Sequence, residues 1–467
     1  MAMPVLGRVL SYVGRALSGE VLAPSKEPVP PAHAASSQAV AARLGRDPWE
    51  GSQQSRRRLE AALSESEAKA IAERWKTWGD SSVSSAGRCR MTSGYQAWRQ
   101  RVEAFLSKPP AAMRHQIEPW RHWLGEYEAY TRWMSTQKGP APKVPGPVPF
   151  ELVAQVLDGE PIGPPPSSFR RILIYHVKLP DGARYSFQDD PVQLDGKSAS
   201  HETGISRIGL KIHKRAELEA LLDEAGITDA TERKVLKKIA EQEGGFEAIN
   251  TCDAGEVSVG FVPFTSGEAG DGPLSRLLRS IRVADPGEFD VYFRSLGIDV
   301  GEKGLMVVHL EQGRLLQGRE AVRALRDDKR LSAVFQNAGE RSRMYQIAQL
   351  RLAKEMYYVA SHDFALKTLV KSGDRALVIT FLGRYGDVLR SEAGKVALMD
   401  RAVHRGVGNT RQVFKEACIS VIHEKGLNTL RALAEYEALI VPILQTAGRI
   451  RALEDKELSQ PGPPPEH

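Results

Sequence analysis

Glu243-Gly-Gly-Phe-Glu-Ala-Ile-Asn-Thr-Cys-Asp253, followed by Gly255 and by Ser258-Val-Gly-Phe-Val-Pro-Phe-Thr265, decides how this chain is read. Just upstream, Asp229-Ala-Thr-Glu232 has the spacing of a capping box, an acceptor at the N-cap and a carboxylate three residues on. Val235, Leu236, Ile239 and Ala240 then recur at helical spacing, so a helix starts there and buries that face. Glu243 stands four residues after Ile239, on the apolar side at the helix end, where Gly244 and Gly245 suit a left-handed cap. Partial burial and the negative end of the helix dipole both disfavour a charged carboxylate. Glu243 is therefore expected to keep its proton to higher pH, as a general acid must.

Working outward, helical periodicity dominates from Ala216 to Leu458, with one β-like insertion at Gly255 to Thr265. Residues 216–458 are expected to form one α+β domain. Before it, Arg171 to Leu179 and Ala183 to Phe187 are β-rich runs joined by Pro180-Asp181-Gly182, which makes 150–215 a β-containing connector with a hairpin. Residues 139–149 hold five prolines in eleven positions and are expected to be an extended, fairly stiff linker. Residues 56–138 show helical spacing from Arg58 to Trp78 and from Gly94 to Lys138, interrupted by a Ser/Gly-rich loop around Ser81 to Gly87 and by Lys108-Pro109-Pro110. All seven tryptophans, from Trp49 to Trp133, lie in the first third, and their helical spacing favours a small bundle's core over a stacking platform for sugars or bases.

The 467 residues exceed what one hydrophobic core usually organises. A formal net charge of +6 favours an anionic partner: bacterial cell wall, nucleic acid or anionic lipid. Cys89, Cys252 and Cys418 show no paired spacing, so free thiols are expected, with no structural metal and no cofactor, consistent with synthesis in a reducing cytoplasm. No stretch approaches the roughly 18 apolar residues of a membrane span. Residues 1–55 read as a flexible N-terminus. Val5, Leu6, Val9 and Leu10 recur at helical spacing there, while Arg8 and Arg15 break any secretory apolar core. This cationic amphipathic helix has several possible uses: touching an anionic membrane, docking in a partner's groove, serving as an export tag, or packing on its own protein. Residues 459–467 read as a disordered tail.

The run from Glu243 to Asp253, with Gly255 and Ser258 to Thr265, resembles the catalytic segment of the lysozyme-like superfamily, which includes goose-type lysozymes, lytic transglycosylases and chitosanases. The shared pattern is a glutamate, a Gly/aromatic turn, an asparagine, then a Ser-x-Gly-aromatic strand. A fainter echo runs through Met399-Asp-Arg-Ala-Val-His-Arg-Gly406 and the helices after it, while the first 215 residues show none. The resemblance implies that Glu243 is the general acid, and that Ser258, Gly260 and Phe261 line a sugar cleft. Asn250 and Asp253 would shape the turn or orient substrate. Asp253 is also the nearest second carboxylate able to activate water, with Glu247, Asp271 and Asp400 behind it. The sequence departs from the pattern at Pro263, where related strands commonly carry glutamine, and at Cys252, where an aromatic is frequent. Pro263 also removes a strand N–H. Nothing in the sequence brings His309 or His404 to Cys252 as the base of a thiol nucleophile.

The fold expected is thus α+β and mainly helical, a lysozyme-like domain with a small β element, preceded by a helical region and a β-containing connector. Its implied activity is cleavage of peptidoglycan as a lysozyme or lytic transglycosylase, since a cationic chain suits the anionic wall better than polycationic chitosan. The alternative is an inactive lysozyme-like module that binds wall or builds a larger assembly. Arg401, His404, Arg405, Arg411 and Lys415 form a basic run without a helix-turn-helix signal, so no nucleic-acid partner is expected. With no ordinary signal peptide, action at the wall requires lysis from within, a phage-derived particle, or a secretion or injection apparatus engaged through the N-terminal region.

Overall fold

The computed structural model describes residues 81–190, 203–252, 255–301, 304, 306–309, 315–372 and 375–445, together with 66, 69–71 and 73. The stretch read from sequence as an N-terminal amphipathic helix and tether, Trp49, Trp75, Trp78, Asp253 and residues 459–467 lie outside them. Helices and antiparallel sheets make the fold α+β. Among the described residues no helix is long and apolar enough to cross a membrane.

The chain divides into two compact units, each discontinuous in sequence. Among the described residues, one comprises those within 222–242 and 350–445, and the other those within 66–221 and 243–349. The boundaries expected at 138, 150 and 215 therefore do not separate compact bodies, because the Trp-rich helices, the connector and Glu243 belong to the same unit.

In that unit, strands Ser82–Met91, Phe169–Lys178 and Arg184–Gln188 form an antiparallel sheet in this order. The Ser/Gly-rich stretch expected as a loop is the first of these strands, pairing from Ser82 with His176 to Met91 with Phe169 and bulging between Ser85 and Cys89. A neighbour's ladder overrides weak local β propensity. The expected hairpin forms: Lys178 pairs with Arg184, the Ala183 N–H donates to Asp181 Oδ1 (2.9 Å), and Gly182 takes φ +89°.

Helices Ser93–Ser107 and Ile117–Thr136 bury Tyr95, Trp98, Phe105, Trp120 and Trp123 in one core, which is the packing role their spacing favoured. The proline-rich segment is irregular, as expected, but it does not stand apart from the helices: the indoles of Trp123 and Trp133 donate to the Gly146 and Gly139 carbonyls at 3.0 and 3.1 Å, and Lys143 pairs with Glu126 at 2.7 Å. Further along, strands Ile298–Val300, Met306–His309 and Leu315–Gln317 make a second antiparallel sheet. The buried helix Lys329–Arg341 follows, capped by Asp328, whose Oδ1 accepts from the Arg330 N–H at 2.9 Å.

In the other unit, helices Ala230–Gln242, Glu392–Arg405, Val407–Lys425 and Glu437–Gln445 pack together. The helix Val407–Lys425 also packs against a hairpin, Asp363–Ser372 with Arg375–Arg384, paired without a register break. This hairpin and the 298–317 sheet correct the expectation of a single β insertion after Ala216. Phe364, Leu366, Val370 and Phe381 are buried, with Phe364 and Tyr385 closing on Phe414.

Candidate functional site

The helix leading to Glu243 is built as its residues dictate. The Glu232 N–H donates to Asp229 Oδ1 (2.8 Å) at the start, and Val235, Leu236, Ile239 and Ala240 are buried. The helix ends at Gln242, and Glu243 is the next residue, half-buried, with its Oε1 atom enclosed.

Neither Gly244 nor Gly245 adopts the left-handed conformation expected of a helix cap. They are glycines because another segment passes too close for a side chain. A Cβ on Gly244 would stand 2.8 Å from the Ile208 carbonyl oxygen and 2.7 Å from the Ala248 Cβ, and one on Gly245 would collide with the Leu210 carbonyl and stand 2.7 Å from Glu247 Oε2. The strap is hydrogen-bonded down, because the Gly245 N–H donates to the Ile208 carbonyl at 2.7 Å.

Glu247 is the buried acid of the segment. Its Oε1 accepts from the Leu210 N–H at 2.6 Å, and its Oε2 meets the Arg215 guanidinium at 2.7 Å, with both side chains nearly closed to solvent. Arg215 also lies over the Phe246 ring, 5.4 Å from its centroid. Both carboxylate oxygens are committed, so Glu247 is an anchor for the strap and not a base for water. From the opposite side the helix Lys329–Arg341 comes against the Phe246–Glu247 backbone at Gly339, where a Cβ would overlap it.

Beyond the turn, strands Ser206–Arg207, Ile249–Asn250, Ser258–Val259 and Phe264–Thr265 form a four-stranded antiparallel sheet in that order. Gly260 to Pro263 make the turn that lets Val259 pair with Phe264. Pro263 therefore lies in a turn and not in the strand where it was expected to interrupt a ladder. Gly260 has φ +90°, its N–H donates to the Ala248 carbonyl at 2.9 Å, and a Cβ there would strike Gln349 Oε1. Gln349 clamps two turns together: Oε1 accepts from the Phe261 N–H at 3.1 Å and Nε2 donates to the Phe246 carbonyl at 3.0 Å.

Phe261, assigned by resemblance to a sugar cleft, is completely buried and packs edge-on against Phe246 with centroids 5.7 Å apart. Its ring belongs to the core. Ser258 is buried opposite Asn250 in the sheet. Asn250 shapes the turn, since its Oδ1 accepts from the Cys252 N–H at 2.8 Å and from the Cys252 thiol at 3.0 Å.

Of the lesser carboxylates, Asp271 is exposed just before the helix Pro273–Ala284, whereas Asp400 is buried on the helix Glu392–Arg405, 3.3 Å from His404 Nε2. Cys89, Cys252 and Cys418 form no disulfide, and burial pushes the thiols of Cys89 and Cys418 up. Among the described residues no group of three or more His, Cys, Asp or Glu side chains is placed to hold a metal ion.

Sequence reasoning missed Arg215, Gln349, Gly339 and the strap 207–210. Each acts on the turn from a distant stretch of chain, so local spacing around Glu243 carries no sign of them. No protein-family model, no curated protein and no solved structure matches the chain.

Proposed function

We propose that this chain is a peptidoglycan-cleaving glycosidase of the lysozyme or lytic transglycosylase type, with Glu243 as its general acid. The observation that carries this reading is the mounting of Glu243. It is half-buried where a helix runs into a turn held by the strap at Ile208 and Leu210, by the Glu247–Arg215 pair, by Gln349 and by the close approach of Gly339. A general acid must meet the glycosidic oxygen at hydrogen-bond distance, and a carboxylate on a backbone fixed from several directions loses little freedom in doing so. The residue pattern from Glu243 to Thr265 supplies the substrate class.

In the reaction Glu243 donates its proton to the leaving oxygen as the glycosidic bond breaks. A water, or the C6 hydroxyl of the muramic acid residue in the transglycosylase version, then attacks the anomeric carbon and returns a proton to the Glu243 carboxylate. Glu247 takes no part, because both its oxygens hold the strap.

A second reading, a lysozyme-like module that binds wall or builds an assembly without cutting, is favoured by the burial of Ser258 and Phe261. One experiment separates the two: wild type and Glu243→Gln are incubated with purified peptidoglycan and the soluble products analysed by mass spectrometry. Cleavage predicts fragments from the wild type and a loss of at least about a hundredfold in the variant, with anhydro or reducing ends naming the reaction. Absence of fragments from the wild type, or undiminished release by the variant, sinks the acid reading.

A further inference from the structure

The strap beside Glu243 presents a surface that its structural duties do not explain. Its backbone is spent on the turn: the Ile208 carbonyl accepts from Gly245, the Leu210 N–H donates to Glu247, and Gly209 has φ +72° with Glu247 packed where a Cβ would be. With the backbone bound inward, Ile208 and Leu210 point outward and are 50% and 48% exposed. Arg207 and Lys214, on either side of them, are exposed as well. Two large apolar side chains held open on a hydrogen-bonded segment, with exposed cations on either side in sequence, form a small amphipathic surface. All of it belongs to the unit that contains Glu243.

We propose that this strap is the glycan-binding surface of the site, taking an anionic amino-sugar polymer. The proposal rests on the reading of Glu243 as the acid. Sugar rings, N-acetyl groups and lactyl groups present C–H and methyl faces suited to Ile208 and Leu210. The carboxylates of lactyl groups and stem peptides suit Arg207 and Lys214, in keeping with the chain's net charge of +6. Chitosan fits the apolar part alone, and its ammonium groups would be repelled. The Ile208 carbonyl would lie 2.8 Å from a Cβ on Gly244, the residue next to Glu243, so the strap runs against the same turn that carries Glu243.

Co-sedimentation with insoluble peptidoglycan tests this without requiring turnover. Glu243→Gln is expected to bind as the wild type does. Adding Ile208→Ser and Leu210→Ser to that variant is expected to weaken binding about tenfold at an unchanged Tm, since both side chains are already half in solvent. Arg207→Glu, which leaves the apolar pair and the backbone intact, is expected to weaken binding and to flatten its salt dependence, and it decides the matter if the serine variant proves unstable. In an active background the serine pair raises KM and spares kcat. Unchanged sedimentation of both the serine and the Arg207→Glu variants overturns the proposal, as does failure of the wild type to sediment. So does a change from dimer to monomer in the serine variant, which would make a second copy of the chain the occupant. Turnover that survives Glu243→Gln instead removes the acid reading, while the sedimentation result still judges the strap.

Discussion

Glu247→Gln takes one charge out of an ion pair that lies beneath the Glu243 turn. The Arg215 and Glu247 side chains keep 9% and 5% of their surface exposed, with nitrogen and oxygen 2.7 Å apart. Removing one member of a pair so enclosed strands the other charge, at about 3–5 kcal/mol. Arg215 keeps Glu217 Oε1 at 3.3 Å and the Phe246 ring face, and the glutamine can still accept from the Leu210 N–H. The loss is therefore placed at the low end, about 3 kcal/mol. For a domain of this size each kcal/mol moves Tm by about 2–4 °C, so a fall of about 6–12 °C is expected in thermal unfolding. A double-mutant cycle with Arg215→Met isolates the pair. The double variant should be no less stable than Arg215→Met alone, because the methionine leaves no stranded charge, and the coupling should then be at least the single-variant loss, about 3 kcal/mol. A loss below about 1 kcal/mol, the behaviour of an exposed pair, refutes the assignment of Glu247 as the strap's anchor.

Two further outcomes follow from neighbouring features. Gly245→Ala should destabilise by about 1–3 kcal/mol, because its Cβ overlaps the Leu210 carbonyl, whereas Gly146→Ala, with nothing within 4 Å, should leave Tm unchanged; equal effects would contradict the close-approach argument. The His362 ring is held below its ordinary pKa of 6.5 by burial first and by Arg411 as well, with Nδ1 2.8 Å from the Arg411 guanidinium and Nε2 3.0 Å from the Glu355 carbonyl. The folded state favours the neutral ring, so the stability it contributes is present above about pH 6.5 and is lost as pH falls through the lowered folded value. The Tm advantage of wild type over His362→Gln should shrink between neutral pH and about pH 5, and an advantage that holds or grows refutes this.

What the sequence disclosed were the features set by neighbours within a turn or two. The Asp229 cap and the buried face of the Ala230–Gln242 helix were legible because both are local. So was the hairpin at Pro180-Asp181-Gly182, where the turn residues declare themselves. The hairpin Asp363–Arg384 also carried a signal: Phe364, Leu366, Thr368 and Val370 alternate with Ala365, Lys367 and Leu369. So dense a set of apolar residues also satisfies spacings of three and four, so periodicity alone does not separate this hairpin from a helix. Gly244 and Gly245 were recognised as special for the wrong reason, since a glycine demanded by close approach looks the same in sequence as one demanded by positive φ. Ser82–Met91 was unreadable in principle, because its strand depends on a partner that begins at Phe169.

The contrast between Glu243 and Glu247 shows what the sequence alone withholds about a candidate acid. The two are four residues apart, and on burial alone Glu247 is the more enclosed. Its two oxygens are held, by an arginine at 2.7 Å and by a backbone N–H at 2.6 Å. A carboxylate held on both oxygens has no freedom to reach a substrate. Glu243 stands at the edge of the same turn, half-buried, on a backbone that Glu247 helps to immobilise through the strap. Glu247 thus anchors the strap beneath the turn, and the two glutamates of the segment stand in different surroundings.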